Sequence, residues 1–163
     1  MRSLSICLAV TLAAALVIAQ QPAGQTVTYK SAADIAAMVA GAKGKNATKA
    51  QPTIVQGLLS LAPYKANLEY RASVGTAAVH LTEAELFYVI DGSGILTTGG
   101  KLTGETKNGD NLTGTGIEGG KDQAVAKGDA IIVPEGTPHW FSKINSTLVL
   151  MSMHVPRPVP AAK

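Results

Sequence analysis

The chain has 163 residues, of which 46% are apolar and only 15% charged, and its formal net charge is +3. This length predicts about one domain, and the small, scattered positive charge excludes the clustered basic surface typical of nucleic-acid-binding proteins. The 17 glycines, many of them between residues 92 and 120, indicate a β-rich fold with many turns rather than a helical bundle.

The first 19 residues have the pattern of a secretory signal peptide. Arg2 gives a positive start, residues 8–19 are almost entirely apolar, and Val17 and Ala19 occupy the −3 and −1 positions of a cleavage site before Gln20. The run is too short for a membrane span, although an uncleaved anchor is the alternative. We therefore expect a secreted or periplasmic protein with no membrane association after cleavage. The single cysteine, Cys7, lies in this segment, so the mature chain has no disulfide and no thiol nucleophile.

Residues 20–50 are predicted to be an N-terminal leader that contains a short helix. Ser31 can cap this helix, with Asp34 at the third position of its first turn. A small apolar stripe follows, formed by Ile35, Met38 and Val39. The Gly- and Lys-rich residues 41–49 are expected to form a linker or loop.

From residue 51 to residue 156 the pattern is typical of short β-strands. Gly, Pro, Asn or Asp lies near most of the breaks, and many short strands at this spacing predict a sandwich or barrel. The predicted strands are residues 53–61, 66–72, 77–81, 85–91, 95–98, 123–126, 130–134 and 148–155. We expect the glycine-rich residues 99–120 to form a mobile hairpin or loop at the mouth of a barrel. The Pro-rich residues 157–163 are expected to be an extended tail.

Three side chains in this region are candidate metal ligands. His80 lies near the end of one predicted strand and Glu85 begins the next, so both can point inward across neighbouring strands. His139 follows a strand and a Pro/Gly turn and opens another strand. If the strands close into a barrel, the three side chains can meet inside it. Two imidazoles and a carboxylate on one face are a known platform for Fe(II), with Mn, Ni, Cu and Zn as alternatives, and leave open positions for a chelating substrate.

Residues 75–154 resemble a small single-domain cupin. One motif of that family is a glutamate followed, after six intervening residues, by a glycine, and it corresponds to Glu85 and Gly92. The second motif consists of a glycine, a proline, a glycine and a histidine at fixed spacing. It is matched at every position by Gly128, Pro134, Gly136 and His139. The resemblance implies an all-β fold of the cupin type, a conserved β-barrel (double-stranded β-helix or jelly roll), preceded here by the short N-terminal helix.

The sequence departs from the family pattern at one metal-ligand position. The family usually has two histidines, one residue apart, ahead of the glutamate. The second corresponds to His80, but the first falls on Ala78, which cannot bind a metal. The resemblance therefore implies a site reduced to three ligands, His80, Glu85 and His139, which binds a metal more weakly or with more open positions.

Two further sources of a ligand are weaker candidates. Glu83 or Thr82 could supply an oxygen atom if its side chain lies on the side of the strand that faces the site. The remaining histidine, His154, precedes Val-Pro and is expected at a strand end or on the surface, so it is only a remote candidate.

Three residues are candidates for the lining of a substrate pocket. Tyr70 and Arg71 are neighbours on one strand, so only one of them can face inward. Arg71 could bind a substrate carboxylate through two hydrogen bonds, with an outward, solvated arginine as the alternative. Phe87 shares its strand face with Glu85, so it could line the pocket, with core packing as the alternative.

The predicted function is that of an exported metal-binding cupin. Cupins of this kind include dioxygenases, isomerases, decarboxylases and lyases, and the substrate would be a small oxygenated or carboxylate compound. The first alternative is a non-catalytic module that binds a small molecule and has a degenerate metal site. The second is a structural β-barrel. Because an open sheet edge needs cover, we expect a homodimer, with residues 53–61 as one candidate edge. No Gly-rich phosphate loop precedes a helix, which argues against nucleotide binding.

Overall fold

The computed structural model describes residues 27–49 and 51–157. In this part of the chain one helix precedes eleven β-strands. They are α1 (Ala32–Lys49), β1 (Thr53–Leu61), β2 (Tyr64–Arg71), β3 (Ala77–His80), β4 (Glu83–Thr98), β5 (Lys101–Thr103), β6 (Thr106–Asn108), β7 (Asn111–Gly114), β8 (Gly116–Glu118), β9 (Lys121–Ala126), β10 (Ala130–Val133) and β11 (His139–Pro156). Within these residues, no helix combines the length and the apolar character that crossing a membrane requires.

Two long strands, β4 and β11, organise the fold. They pair antiparallel from Glu83 opposite Pro156 to Thr98 opposite His139, with register shifts in the middle. On one side of these shifts the strand order is β1–β2–β11–β4–β10. On the other side it is β6–β7–β3–β11–β4–β9. The nine strands form one continuous sheet, and its two halves face each other because β4 and β11 bend together.

The bend depends on glycine at two positions of β4. Gly92 has a φ of +87°, and a Cβ at this position would lie 1.9 Å from the carbonyl oxygen of Thr147. A Cβ at Gly94 would lie 2.3 Å from the carbonyl oxygen of Lys143. Only glycine allows the two backbones to approach so closely at an irregularity of the ladder. Because of this bend, the first residue of β11 lies close to the beginning of β4.

Hydrophobic packing holds the two halves of the sheet together and attaches the helix. The core between the halves consists of Phe87, Val89, Leu96, Val125, Val133, Phe141, Leu148 and Leu150. A second cluster lies on the outer face of β1 and β2, where α1 covers it. Its members include Ala42, Ile54, Leu58, Leu68, Tyr70 and Val149, with Ile35, Met38 and Val39 packed against them. The predicted apolar stripe is therefore the face by which α1 docks.

The helix is longer than the sequence predicts. It continues through residues 41–49, so the prediction of a linker there is wrong. Ser31 and Asp34 form the predicted cap, in which each accepts a hydrogen bond from the other's backbone N–H. Ala42 is completely buried against the sheet. Packing of this face offsets the unfavourable helix propensity of Gly41 and Gly44, about 1 kcal/mol each.

The glycine-rich residues 99–120 form a hairpin, which is one of their two predicted forms, and not an open loop. They fold as two nested antiparallel pairs, with β5 opposite β8 and β6 opposite β7. Strand β7 also pairs with β3, which joins the segment to the main sheet. Leu102 is buried in a small cluster with Ala77 and Val79. The glycines therefore mark tight turns between short strands, and the segment extends the second half of the sheet.

Candidate metal centre

The carboxylate of Glu85 is the meeting point of three imidazoles. The Nε2 atoms of His80 and His139 each lie 3.1 Å from Glu85 Oε2. The Nε2 atom of His154 lies 3.6 Å from Glu85 Oε1. The structure thus brings together the three side chains that the sequence singles out, and adds the histidine that was expected at a strand end or on the surface.

Strand pairing explains why these side chains converge. His139 opens β11 opposite Ala78 of β3, two residues before His80. His154, near the other end of β11, is paired directly with Glu85 of β4. Because alternate residues of a strand point to the same face, the pairing of Glu85 with His154 places both side chains between the halves of the sheet. The bend in β11 then brings its two histidines to the same carboxylate.

Hydrogen bonds to oxygen atoms orient two of the imidazoles. The Nδ1 atom of His80 lies 2.5 Å from Asn111 Oδ1, and that of His139 lies 3.1 Å from the carbonyl oxygen of Thr137. These oxygens can only accept, so Nδ1 carries the proton in both rings. The Nε2 atom of a neutral ring then directs its lone pair towards Glu85, which is the arrangement of a histidine prepared to bind a metal.

This arrangement fits a metal ion. A lone pair that faces a carboxylate oxygen at 3.1 Å is repelled unless a proton or a cation lies between the two atoms. Two donors that bind one transition-metal ion at about 2.1 Å and at a right angle to each other are about 3.0 Å apart. The ligand atoms of His80, Glu85 and His154 all lie within 4.8 Å of one another. Imidazole nitrogens with one carboxylate oxygen are donors suited to Fe, Mn, Ni, Cu or Zn.

The outer nitrogen of His154 has no hydrogen bond. Its Nδ1 atom is buried and makes none within the described part of the chain. Glu83 Oε2 lies 3.1 Å from it, as an ion-pair contact and not a hydrogen bond. The ring is therefore held less firmly than those of His80 and His139, so either of its nitrogens could turn towards an ion. The contact of Glu83 is with His154 Nδ1, and not with the Nε2 atom of that ring, which faces Glu85.

In the metal-free protein, the hydrogen bonds of the cluster favour a negatively charged Glu85 and a positively charged His80. Burial by itself would raise the pKa of Glu85, but hydrogen bonds that His139 and His80 donate when their Nε2 atoms are protonated outweigh it and lower that pKa to about 2. Burial by itself would lower the pKa of His80, but hydrogen bonds to Glu85 and Asn111 raise it above its usual range. Glu85 is therefore an anion at neutral pH, as a metal ligand must be.

A cavity of about 300 Å³ opens beside this cluster. Its wall contains all four clustered side chains, together with Ala78 and residues from β1, β2 and the start of β11. A second space, of about 470 Å³, adjoins His80 and His154 from the other side and is lined by Lys65, Glu83 and Asn111 among others. The first cavity has a volume at the lower end of small-molecule sites.

Only one of the three candidate pocket residues lines this cavity. Arg71 points into it, as strand alternation allows. Tyr70 faces the opposite side of β2 and is buried in the cluster under α1, so it is not a pocket residue. Phe87 is on the inner face but completely buried, with its ring centroid 6.1 Å from that of His139. It packs against the histidine and is not among the residues that line the cavity, which corresponds to core packing, the stated alternative.

The sequence around His154 does not indicate which way its side chain points. Leu148, Val149 and Leu150 are all buried, since one face of β11 contacts the core and the other lies under α1. The strand therefore shows no clear apolar and polar alternation. The one available signal is that Ser152 and His154, two residues apart, are the polar residues on the face that continues from Leu150.

Comparison with known proteins agrees with this architecture. The sequence model of the family described as Cupin matches residues 33–158. The search of curated proteins found no match. One similar solved structure is the cupin domain of Cnp3 from Schizosaccharomyces pombe, at 13% identity and a TM-score of 0.48, covering 66% of this chain and 63% of that one.

Two other solved structures show a likeness of the same degree. One is Fe(II)-HppE with an alternative substrate, at 15% identity and a TM-score of 0.47, covering 63% of this chain and 49% of that one. The other is a putative mannose-6-phosphate isomerase from Ralstonia eutropha, at 14% identity and a TM-score of 0.45, covering 64% and 85% of the two chains. The chain thus spans less than two thirds of the Cnp3 and HppE chains. The match over residues 33–158 and the strand-rich structure confirm the predicted jelly-roll fold, and the chain belongs to the cupin family.

Proposed function

We propose that this cupin binds a divalent transition metal through His80, Glu85, His139 and His154, and that it acts there on a small oxygenated or carboxylate compound. The observation that carries the proposal is the pair of Nδ1-protonated imidazoles whose Nε2 atoms both face one oxygen of Glu85. A bound cation satisfies both lone pairs and the carboxylate at once.

The chain's own contribution is to hold the donors and to admit the ligand. Asn111 and Thr137 fix the rings of His80 and His139, and the cavity beside them leaves one side of the donor set accessible. When bound, a metal there would supply Lewis-acid chemistry, or redox chemistry if it is iron or copper. A cavity of about 300 Å³, at the lower end of small-molecule sites, suits a small compound.

A non-catalytic binding module is the second candidate, and one observation favours it. Among the described residues that line the cavity, each titratable side chain already has a role. His80, Glu85, His139 and His154 form the donor set, and the remaining two, Glu69 and Arg71, are paired with each other. Tyr88 of β4, a further titratable side chain, is exposed and lies on the outer face near α1. Any turnover must therefore depend on the metal and its ligands.

Metal content per chain tests the proposal. The protein would be purified without a histidine tag after expression with mixed trace metals, and metal would be counted by elemental analysis. We expect near one metal ion per chain in the wild type and a large loss in His80→Ala and Glu85→Gln. Glu118→Gln, at an exposed carboxylate of β8, is the matched control and should retain the metal. A wild-type protein that stays empty when metal is offered contradicts the proposal.

Turnover and ligand binding then separate the two candidates. With the metal-loaded protein, conversion of small oxygenated compounds supports an enzyme. Stabilisation against heat by a compound that is recovered unchanged supports the binding module, because a ligand that binds only the folded state raises the melting temperature. The identity of the metal directs the choice of compounds, since iron or copper suggests oxygen chemistry and manganese, nickel or zinc suggests isomerase or lyase reactions.

Export and dimer formation belong to the same proposal. Residues 1–19, the predicted signal peptide, lie outside the described residues, and N-terminal sequencing of the exported protein would show whether cleavage follows Ala19.

Strand β1 pairs only with β2 among the described strands, and Val55 on it is 57% exposed. We propose that this edge pairs with a second copy in a homodimer. Light scattering of the wild type and of Val55→Lys tests this, since a charge on the edge should favour the monomer.

A further inference from the structure

The cavity contains a buried ion pair that the metal site does not use. Glu69 and Arg71 lie on the inner face of β2, opposite Leu150 and Leu148 of β11. Arg71 Nε and Nη2 donate to Glu69 Oε2 at 2.9 and 2.6 Å. The other oxygen of Glu69 accepts a hydrogen bond from Ser152 Oγ at 2.5 Å. Both oxygens of Glu69 thus accept hydrogen bonds, and Glu69 fixes one edge of the guanidinium.

An aromatic ring fixes the face of the same guanidinium. The Cζ atom of Arg71 lies 4.8 Å from the centroid of the Phe141 ring, within the range of a cation–π contact. With one edge bound to Glu69 and one face near Phe141, the side chain has little rotational freedom. A fixed guanidinium loses less entropy when it binds a further partner than a mobile one does.

The remaining donors of Arg71 are directed at no acceptor. A guanidinium has five N–H groups, and Glu69 uses one on Nε and one on Nη2. Both N–H groups of Nη1 and the second one of Nη2 have no acceptor among the described residues. One N–H from each of these nitrogens forms the end-on fork that matches the two oxygens of a carboxylate. The Arg71 side chain remains 17% exposed, and Arg71 lines the cavity.

We propose that Arg71 is the anion-binding subsite of this cavity, and that its ligand is a small monocarboxylate with a second oxygen function that faces the His80–Glu85–His139–His154 cluster. This inference rests on the proposed function, because the second oxygen needs the metal. The charges agree with it. Glu69 compensates Arg71, and a divalent cation bound to the Glu85 carboxylate leaves one positive charge, which one carboxylate neutralises.

Matched ligands test the subsite. Lactate and lactamide have the same size and the same hydroxyl group, but only lactate carries a charge and a second carboxylate oxygen. Isothermal titration calorimetry of the metal-loaded wild type should show a preference for lactate of about tenfold or more, and Arg71→Gln should abolish that preference. Arg157→Gln is the control, because Arg157 is exposed and pairs with Glu135 outside the cavity. It should keep the wild-type preference.

Metal content separates the failure of this inference from the failure of the proposed function. Arg71→Gln should retain the metal, since Arg71 is not a metal ligand. If the wild type binds no metal, the proposed function fails, and the preference is then measured in the metal-free protein, where dependence on Arg71 still supports the subsite. If Arg71→Gln does not fold, Arg71→Lys replaces it and should reduce the preference, because an ammonium group keeps the charge but has no fork. A wild type without a preference for lactate, or a variant that keeps it, overturns the inference.

Discussion

His154 lies directly opposite Glu85 in the β4–β11 ladder, with its Nε2 atom 3.6 Å from Glu85 Oε1. Its imidazole thus reaches the carboxylate from the last strand, whereas the family pattern supplies an additional histidine from the strand of His80. In this chain that position is Ala78, which lines the cavity and has no donor atom. In the proposed metal site, His154 therefore supplies the fourth donor from a different strand.

Removal of the His154 imidazole should weaken metal binding. We expect His154→Ala to raise the metal dissociation constant by more than about tenfold to a hundredfold, which is the loss typical of removing a partner outside the ligand set, since it removes one nitrogen ligand while His80 and His139 remain fixed. Competition with a chelator measures the constant. Met153→Ala is the control, because it shortens a neighbouring side chain of the same strand without removing a nitrogen. Equal constants for His154→Ala and the wild type would show that His154 is not a ligand.

Restoring the missing family histidine should have the opposite effect. Ala78 is half-buried, lines the cavity and is paired with His139. Ala78→His should therefore place a further imidazole beside the cluster and lower the metal dissociation constant by about tenfold, or about 1.4 kcal/mol. Ala78→Phe adds similar bulk without a nitrogen and should not tighten binding. If Ala78→His and Ala78→Phe have the same metal dissociation constant, the side chain at position 78 acts only through its bulk, and a histidine there does not bind the metal.

The sequence was sufficient to predict part of the strands and the motif residues of the site, but not the geometry that completes it. Strand β1 matches its predicted bounds, and Glu85 and His139 could be recognised from fixed spacing. The orientation of His154 depends on the register of β11 against β4, a contact between residues about 70 positions apart that no local pattern encodes. Helix α1 extended over two glycines for a similar reason, since its burial against the sheet outweighed local propensity.

The bend at Gly92 should be sensitive to a single methyl group. Gly92→Ala brings a Cβ to 1.9 Å from the Thr147 carbonyl oxygen and also forces a φ of +87° on a residue with a side chain. We expect the free energy of unfolding to fall by more than about 3 kcal/mol, because a steric clash adds to the backbone strain of about 1–3 kcal/mol.

Gly109→Ala is the matched control for the bend. Gly109 has a φ of +60°, but a Cβ at this position would meet nothing within 4 Å. Chemical denaturation of the two variants therefore separates strain from clash. A loss in Gly92→Ala no larger than that in Gly109→Ala would show that the two backbones can separate at the bend without cost.

The cap of α1 should make stability depend on pH in the acid range. The hydroxyl and the backbone N–H of Ser31 donate hydrogen bonds to Asp34 and hold the pKa of its carboxyl below the usual 3.8. Since the pKa is lower in the folded state, the stabilising contribution is complete above the unfolded value and is lost as the pH falls through the folded value. Asp34→Asn, which cannot ionise, should lack this part of the pH dependence.

Thermal unfolding from about pH 6 to about pH 2 measures the effect of the cap. The difference in melting temperature between wild type and Asp34→Asn should be constant at the upper end and shrink as Asp34 becomes protonated. In a Ser31→Ala background the same substitution should cause a smaller difference, because the hydroxyl donor is gone while the backbone donor remains. An Asp34→Asn difference that did not change across this range would mean that the carboxylate does not stabilise the helix through its charge. The burial of Ile35, Met38 and Ala42 against the sheet would then be sufficient to hold α1 in place.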